Sequence, residues 1–392
     1  MRLTLRCLAI ASLSLVATTA ESATWNVHED GSGDAPTIQA AIDLAAPGDE
    51  ILVHPGTYHE RLVASKGLSV IGVAGPDLTV IQGSLFESVF SIIIEEGTDA
   101  FVLRGLHIQG AGSDENVGWP YPALYQSSLN LVVEDCRLES FSVMRATMRN
   151  CQIVGTESNG NDAVDSLVED CVFAELDDTW GASGLTVWGS TTVRGCTFDR
   201  CNGFAQVPVV GYGDGSTPIV EDNLFVDCSG PCIAPALIPP VAARAAPNTG
   251  AIGFLVVRGN TFVRNVHGPL GPWPGDEFAP FVPGTFERNV VTESEFGVWL
   301  PPGLSYALTC NDSWGNGSNW TGFPDPSGVN GNFSSPPLFC DPLQNNFSVS
   351  ANSPLLAPNN ECGVQIGAFG MGCGTIGVEA ASWAEIKSRF RR

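Results

Sequence analysis

One pattern of apolar and polar positions recurs along most of the chain. It is an apolar residue, two further residues, Cys or Asn, one residue, and a second apolar residue. It reads as Val133, Cys136 and Leu138, then Met148, Cys151 and Ile153, then Val168, Cys171 and Phe173, then Val193, Cys196 and Phe198. It continues with Val220, Asn223 and Phe225, then Val257, Asn260 and Phe262, then Phe286, Asn289 and Val291. Leu103, Leu106 and Ile108 form an earlier copy, and Leu308 and Asn311 a weaker last one in which Ser313 takes the second apolar place. The two apolar positions are an odd number of residues apart, so in one straight strand they would face opposite sides. Both point inward only if the chain turns between them. Asn tolerates the left-handed conformation of such a turn, and stacked Asn side chains can hydrogen-bond from rung to rung. Cys in the same column is small, buried and apolar. Cys136, Cys151, Cys171 and Cys196 therefore read as a core ladder, with disulfides between rungs as the alternative, since neighbouring strands lie about 4.8 Å apart. Copies recur at uneven intervals, which suits a solenoid whose loops leave on one side better than a propeller. The step from Cys136 to Cys151 is short for a three-sided coil, so the Cys151 copy is expected to be out of register. The predicted class is all-β: a right-handed parallel β-helix.

The two ends complete that solenoid. Thr37 to Ala46 carries Ile38, Ala41, Ile42 and Ala45 on one helical face and ends at Pro47-Gly48, as a capping helix over the open core would. Residues 310–374 are rich in Asn, Gly, Ser and Pro and hold Cys310, Cys340, Cys362 and Cys373, which predicts a loop-rich closing segment stapled by two disulfides of unassigned pairing. Residues 375–392 form a short basic tail, with Trp383, Ile386 and Phe390 at helical spacing. Residues 1–20 read as a signal peptide: Arg2 and Arg6, an apolar run from Leu8 to Val16, then Thr18 and Ala20 at a cleavage site. The β-helix itself is placed at 21–309. Later stretches are too short or too polar to cross a membrane as a helix.

Export changes how the cysteines are read. Of twelve, Cys7 lies in the signal, and the odd remainder requires at least one thiol outside any intrachain disulfide. The formal net charge of −24, with 18 Lys and Arg, disfavours nucleic acid and anionic surfaces as partners.

Asp30-Gly31-Ser32-Gly33-Asp34, Thr37 to Ile42 and Pro55-Gly56-Thr57-Tyr58 resemble the opening coil of pectin-lyase-like β-helix proteins, including pectinesterases and bacterial repeat proteins of the NosD type. Pro337 to Pro342, Phe347-Ser348-Val349, Ser353-Pro354 and Ile366 to Phe369 resemble a closing segment of bacterial exported β-helix proteins. The resemblance implies the fold. Its catalytic signatures do not carry over: the Gly-Arg-Pro-Trp of pectinesterases is absent, Arg244 and Pro247 lack the second arginine of a pectate lyase, and of the polygalacturonase set only the paired Asp177-Asp178 is present.

Candidate chemistry lies in the loops between rungs. Asp162, Asp165, Asp177 and Asp178 are the candidate catalytic residues, because carboxylates flanking a bond serve as acid and as base or nucleophile in glycoside hydrolysis. With loop carbonyls they would instead hold Ca²⁺; neither arrangement requires another cofactor. The plainer alternative is that they are solvated acidic loops. Trp180, Trp188, Trp273 and Trp299 are candidate substrate-binding residues, since flat rings stack on sugars; packing of loops onto the wall is the alternative. The long insertion from Pro231 to Pro283 is the expected groove wall. His54 and His59 are assigned to the capping coil, and His107 to an outward position. Two functions follow: a secreted or surface protein that engages polysaccharide along its side, as a lyase, hydrolase or binder, or a non-catalytic surface or adhesion protein using the β-helix as a stiff spacer.

Overall fold

The computed structural model describes residues 22–83, 90–92, 100–110, 122–126, 130–154, 161–178, 184–203, 209–211, 217–234, 254–271, 283–300 and 305–375. The chain winds as a β-helix with three walls. Among the described residues, wall 1 stacks twelve strands from Thr24–Val27 to Tyr306–Thr309, wall 2 eleven from Gly56–Tyr58 to Asp312–Trp314, and wall 3 eight from Leu62–Ala64 to Ile233–Ala234. Strands from successive coils pair in parallel within each wall. Such crossovers between parallel strands run right-handed.

The 15-residue coil is in register, contrary to the sequence expectation. Val133 pairs with Met148 on wall 1, and Leu138 with Ile153 on wall 2. The coil closes because its corners are minimal: Phe141–Met144 lies just after Leu138, and Arg145 alone turns the chain into Ala146–Arg149 with φ 50°.

The corner between walls 1 and 2 explains the repeat and corrects one reading of it. The left-handed residue is the one before the ladder position: Asp135, Asn150, Asp170, Gly195, Asp222, Gly259, Arg288 and Cys310, at φ between 51° and 66°. The ladder side chain instead points inward and is buried in every copy. Asn260 Oδ1 accepts from the backbone N–H of Asn223 at 2.9 Å and from its Nδ2 at 2.9 Å, and Asn260 Nδ2 donates to Val220 O at 2.9 Å. Asn289, Asn311 and Asn332 repeat the arrangement, so the ladder runs one step into the closing segment. Cys136, Cys151, Cys171 and Cys196 occupy the same column as free buried thiols. Cys201, Cys228, Asn265, Ser294 and Asn316 form a second inward column at the next corner. The inward position after the ladder stacks Phe173, Phe198, Phe225 and Phe262 with ring centroids 4.7, 4.7 and 4.8 Å apart, the rung spacing itself. Each such fully buried ring stabilises the fold by about 1.5–3 kcal/mol.

On eight successive strands of wall 1 the last outward residue carries a charge that alternates in sign: Arg104, Glu134, Arg149, Glu169, Arg194, Glu221, Arg258, Glu287. Arg104 and Glu134 meet at 2.6 Å, Arg149 and Glu169 at 3.0 Å, Arg258 and Glu221 at 2.6 Å, and Arg194 also contacts Glu169.

Both ends are closed. Helix α1 (Ile38–Leu44) buries Ile38, Ala41 and Ile42 against the first strands; Thr37 Oγ1 accepts from Ala40 N–H at 3.1 Å, and the Glu60 carboxylate accepts from Ile38 and Gln39 N–H at 3.0 Å each. At the other end the coil bearing Tyr306–Thr309 continues through Asp312–Trp314 and Ser318–Thr321. The closing segment then folds back over the outer face of wall 2. Phe347 packs with Leu224, Val226 and Val263, while Val349, Leu355 and Ile366 pack with Val290. Cys310–Cys362 and Cys340–Cys373 are the two disulfides. Residues 1–20 and the tail from 376 lie outside the described residues.

Candidate functional site

With the last rungs of wall 2 covered and wall 1 faced by ion pairs, the outer face of wall 3 carries two of the candidate residues, Asp162 and Trp188. Its strands Leu124–Gln126, Phe141–Met144, Asp162–Val164 and Leu185–Trp188 alternate inward and outward residues. Leu124, Phe141, Val143, Ala163, Leu185 and Val187 face the core. The register sets Tyr125 beside Ser142, Ser142 beside Asp162, and Asp162 beside Thr186 on the outer face. One position further along the same face, Met144, Val164 and Trp188 stand in a row. Tyr125 is 41 % exposed at the end of this patch.

Asp162 is the half-buried carboxyl of the patch, beside the buried Thr186. Burial pushes its carboxyl above the usual aspartate range, while side-chain hydrogen bonds from Trp188 and Thr186 pull the other way. Desolvation by the wall, rather than a neighbouring carboxylate, causes the rise. A carboxyl so raised holds its proton to higher pH than an ordinary aspartate, the direction that suits a proton donor.

The other predicted residues are placed differently. Asp165 is an exposed corner residue at φ 47°; its Oδ1 accepts from Ser190 N–H at 2.9 Å and fills the space over Gly189, where a β-carbon would lie 2.2 Å away. Its role there is to hold the turn. Asp177–Asp178 form a short strand paired with Asn202–Gly203, outside wall 3, and their side chains lie outside the described residues. Trp180, Trp273 and most of the 231–283 insertion also lie outside the described residues. Trp299 ends the strand Phe296–Trp299, half-buried beside Gly271 of the preceding coil, where a β-carbon would come within 3.6 Å of the indole. The structure thus brings the side chains of Asp162 and Trp188 together; Asp165 adjoins them at the corner, its N–H donating to Trp188 O at 3.1 Å while its carboxylate is turned to Ser190, and Trp299 stands on a later coil. The sequence pairing of Asp with a nearby Trp was a usable signal; the participation of Thr186 was not, because it depends on the strand register.

Among the described residues no three His, Cys, Asp or Glu side chains are grouped to hold a metal ion. His54 belongs to the capping coil: it stacks on His28 at 3.9 Å and its Nε2 lies 3.1 Å from Asn26 Oδ1. His107 is on the outer side of its strand but covered, and burial, followed by the nearby Arg137, lowers it to about 4.

The walls, corners and capped ends define a right-handed parallel β-helix protein. No family model matches the chain, and no curated protein does. Among solved structures it is similar to a pectin methylesterase in complex with a hexasaccharide (16 % identity, 66 % of this chain and 82 % of that one, TM-score 0.36). It is also similar to the catalytic domain of a GH87 alpha-1,3-glucanase in complex with nigerose (10 % identity, 73 % and 63 %, TM-score 0.44) and to the mannuronan C-5 epimerase AlgE4 A-module of Azotobacter vinelandii (13 % identity, 76 % and 94 %, TM-score 0.41). At these levels no activity passes from them to this chain.

Proposed function

We propose that the protein engages polysaccharide on the outer face of wall 3, centred on Asp162 and Trp188, with Asp162 as proton donor to a glycosidic oxygen. The observation that carries this reading is a half-buried carboxyl, raised by desolvation, hydrogen-bonded to an indole on an otherwise regular outward strand face. A carboxyl raised above the usual aspartate range points toward the acid of a hydrolase rather than the base of a lyase. Hydrolysis needs a second carboxylate, and Asp177 and Asp178 are its candidates. The net charge of −24 favours an uncharged glycan over a polyanion and speaks against nucleic acid. An exported setting is part of the proposal: the N-terminal segment and the two disulfides support it. No helix among the described residues is long and apolar enough to cross a membrane.

The test is a screen of the full chain, processed as in its host, against neutral and acidic polysaccharides with and without Ca²⁺, reading retention and new chain ends. Retention lost in Trp188→Ala, with new reducing ends lost in Asp162→Asn, is the expected result. Retention by the wild type without cleavage leaves a binding protein. A second reading, a stiff surface spacer, is favoured by Asp165's commitment to its turn and by the ion-paired wall 1; absence of both signals across the panel would select it.

A further inference from the structure

A second concavity, sharing no residue with the Asp162–Trp188 patch, lies where the closing segment runs beside the corner that follows wall 2. That corner stacks Arg200, Asp227, Arg264 and Glu293 rung on rung, each with a left-handed backbone. Between this stack and the chain from Pro336 to Asn345 lies a groove of about 920 Å³. That size is within the range of small-ligand sites.

Its lining has a specific chemistry. Asp199 and Arg200 form a two-pronged pair, 3.0 Å at each contact, and Asp227 and Arg264 another, 2.8 Å at each. Arg264 also donates to Asn345 Oδ1 at 2.7 Å and lies over the Phe347 ring, which fixes its plane. Trp314, at the end of the last wall 2 strand, lines the groove; Leu343, on the closing segment, is 84 % exposed at its edge. Both guanidiniums are already matched by carboxylates, and Glu293 adds a further negative charge, so the groove has little pull on an anion. The matched planar pairs still offer donors and acceptors at fixed spacing, which adjacent hydroxyls satisfy. The indole and the exposed leucine offer apolar surface to the C–H face of a sugar ring. Cys340 lies in the chain between the lining residues Phe339 and Pro342, and its bond to Cys373 holds that edge in place, so a ligand meets a preformed site.

We propose that this groove binds a neutral oligosaccharide, with Trp314 stacking on a sugar ring and the Asp199–Arg200 and Asp227–Arg264 pairs hydrogen-bonding its hydroxyls. The site is separate from wall 3 and does not depend on the reading given to Asp162.

The test titrates the full chain with neutral hexasaccharides of glucose, xylose and mannose, and with a hexamer of galacturonate as the anionic comparison, by calorimetry and tryptophan fluorescence. At least one neutral hexamer binds with Kd at or below about 1 mM. Trp314→Ala weakens it about tenfold or more, Trp314→Phe less, and Trp188→Ala leaves this component unchanged. Leu343→Glu alters an exposed side chain, so it keeps the fold and also weakens binding; it decides the matter if Trp314→Ala disturbs packing. The proposal is overturned if no neutral hexamer binds, if binding survives both Trp314→Ala and Leu343→Glu, or if the galacturonate hexamer binds more tightly.

Discussion

Asn260 and Cys171 occupy equivalent places in one column, yet they do different work. Asn260 satisfies buried groups on three rungs, whereas Cys171 mainly fills space. Asn260→Ala would orphan the Asn223 N–H and is expected to destabilise by about 3 kcal/mol, against about 1 kcal/mol for Cys171→Ala, measured by urea unfolding. Equal losses would remove the amide ladder as a stabilising element. Two buried titrating groups should bend the pH profile in opposite directions. His107, lowered to about 4, stays neutral in the fold while the unfolded chain takes up a proton near 6.5, so stability falls as pH drops from 6.5 toward 4; His107→Gln should flatten that arm. Asp312 is fully buried, its Oδ1 accepts from Ser335 N–H at 3.0 Å, and burial raises its carboxyl well above the usual range. It keeps its proton where the unfolded chain has lost one, so stability falls as pH rises from about 4. Asp312→Asn should therefore raise stability at pH 8 and change little at pH 4; a gain at both would assign the effect to packing.

At the scale of elements, each disulfide closes a long loop: the Cys residues are 52 apart in Cys310–Cys362 and 33 apart in Cys340–Cys373. Replacing either pair with Ala is expected to lower stability by about 4 kcal/mol on the chain-entropy account. Only loss of Cys340–Cys373 should also release the groove edge, which sugar titration of the refolded variant would show. The capping helix, the rungs and the two staples were legible in the sequence because each is a local pattern: a 3.6-residue face, a recurring apolar–Cys/Asn–apolar triplet, four clustered cysteines. The fold-back of the closing segment over wall 2 was not. It rests on contacts such as Ala368 N–H to Thr261 Oγ1, 107 residues apart, that no local spacing encodes. The same limit applied to the site. Asp162 and Trp188 were both candidates, but their meeting depends on the pairing of Asp162 with Thr186 across a rung. Asp165 looked equivalent by spacing and is a turn residue because its φ is positive.

For the whole molecule, the twelve strands of wall 1 stack to a length of about 53 Å, an elongated body that small-angle scattering would register. The alternating charges on that wall were present in the sequence, one residue past each inward apolar position, and gain meaning only once the rungs are stacked. Glu169 contacts Arg149 and Arg194 on either side. Glu169→Lys would set three like charges in a row and is expected to cost ~2 kcal/mol at low salt, less in 1 M NaCl, with Glu169→Gln milder; salt-independent loss would show the ladder to be incidental. That alternation also bears on how the chain finds its winding. The rungs resemble one another closely enough that a coil could stack on the wrong neighbour and still bury its Phe and Cys. Skipping one coil would bring Glu134 beside Glu169, or Arg149 beside Arg194, and repulsion would reject the misalignment. The ladder acts as a parity check, discriminating between windings that the core alone would accept.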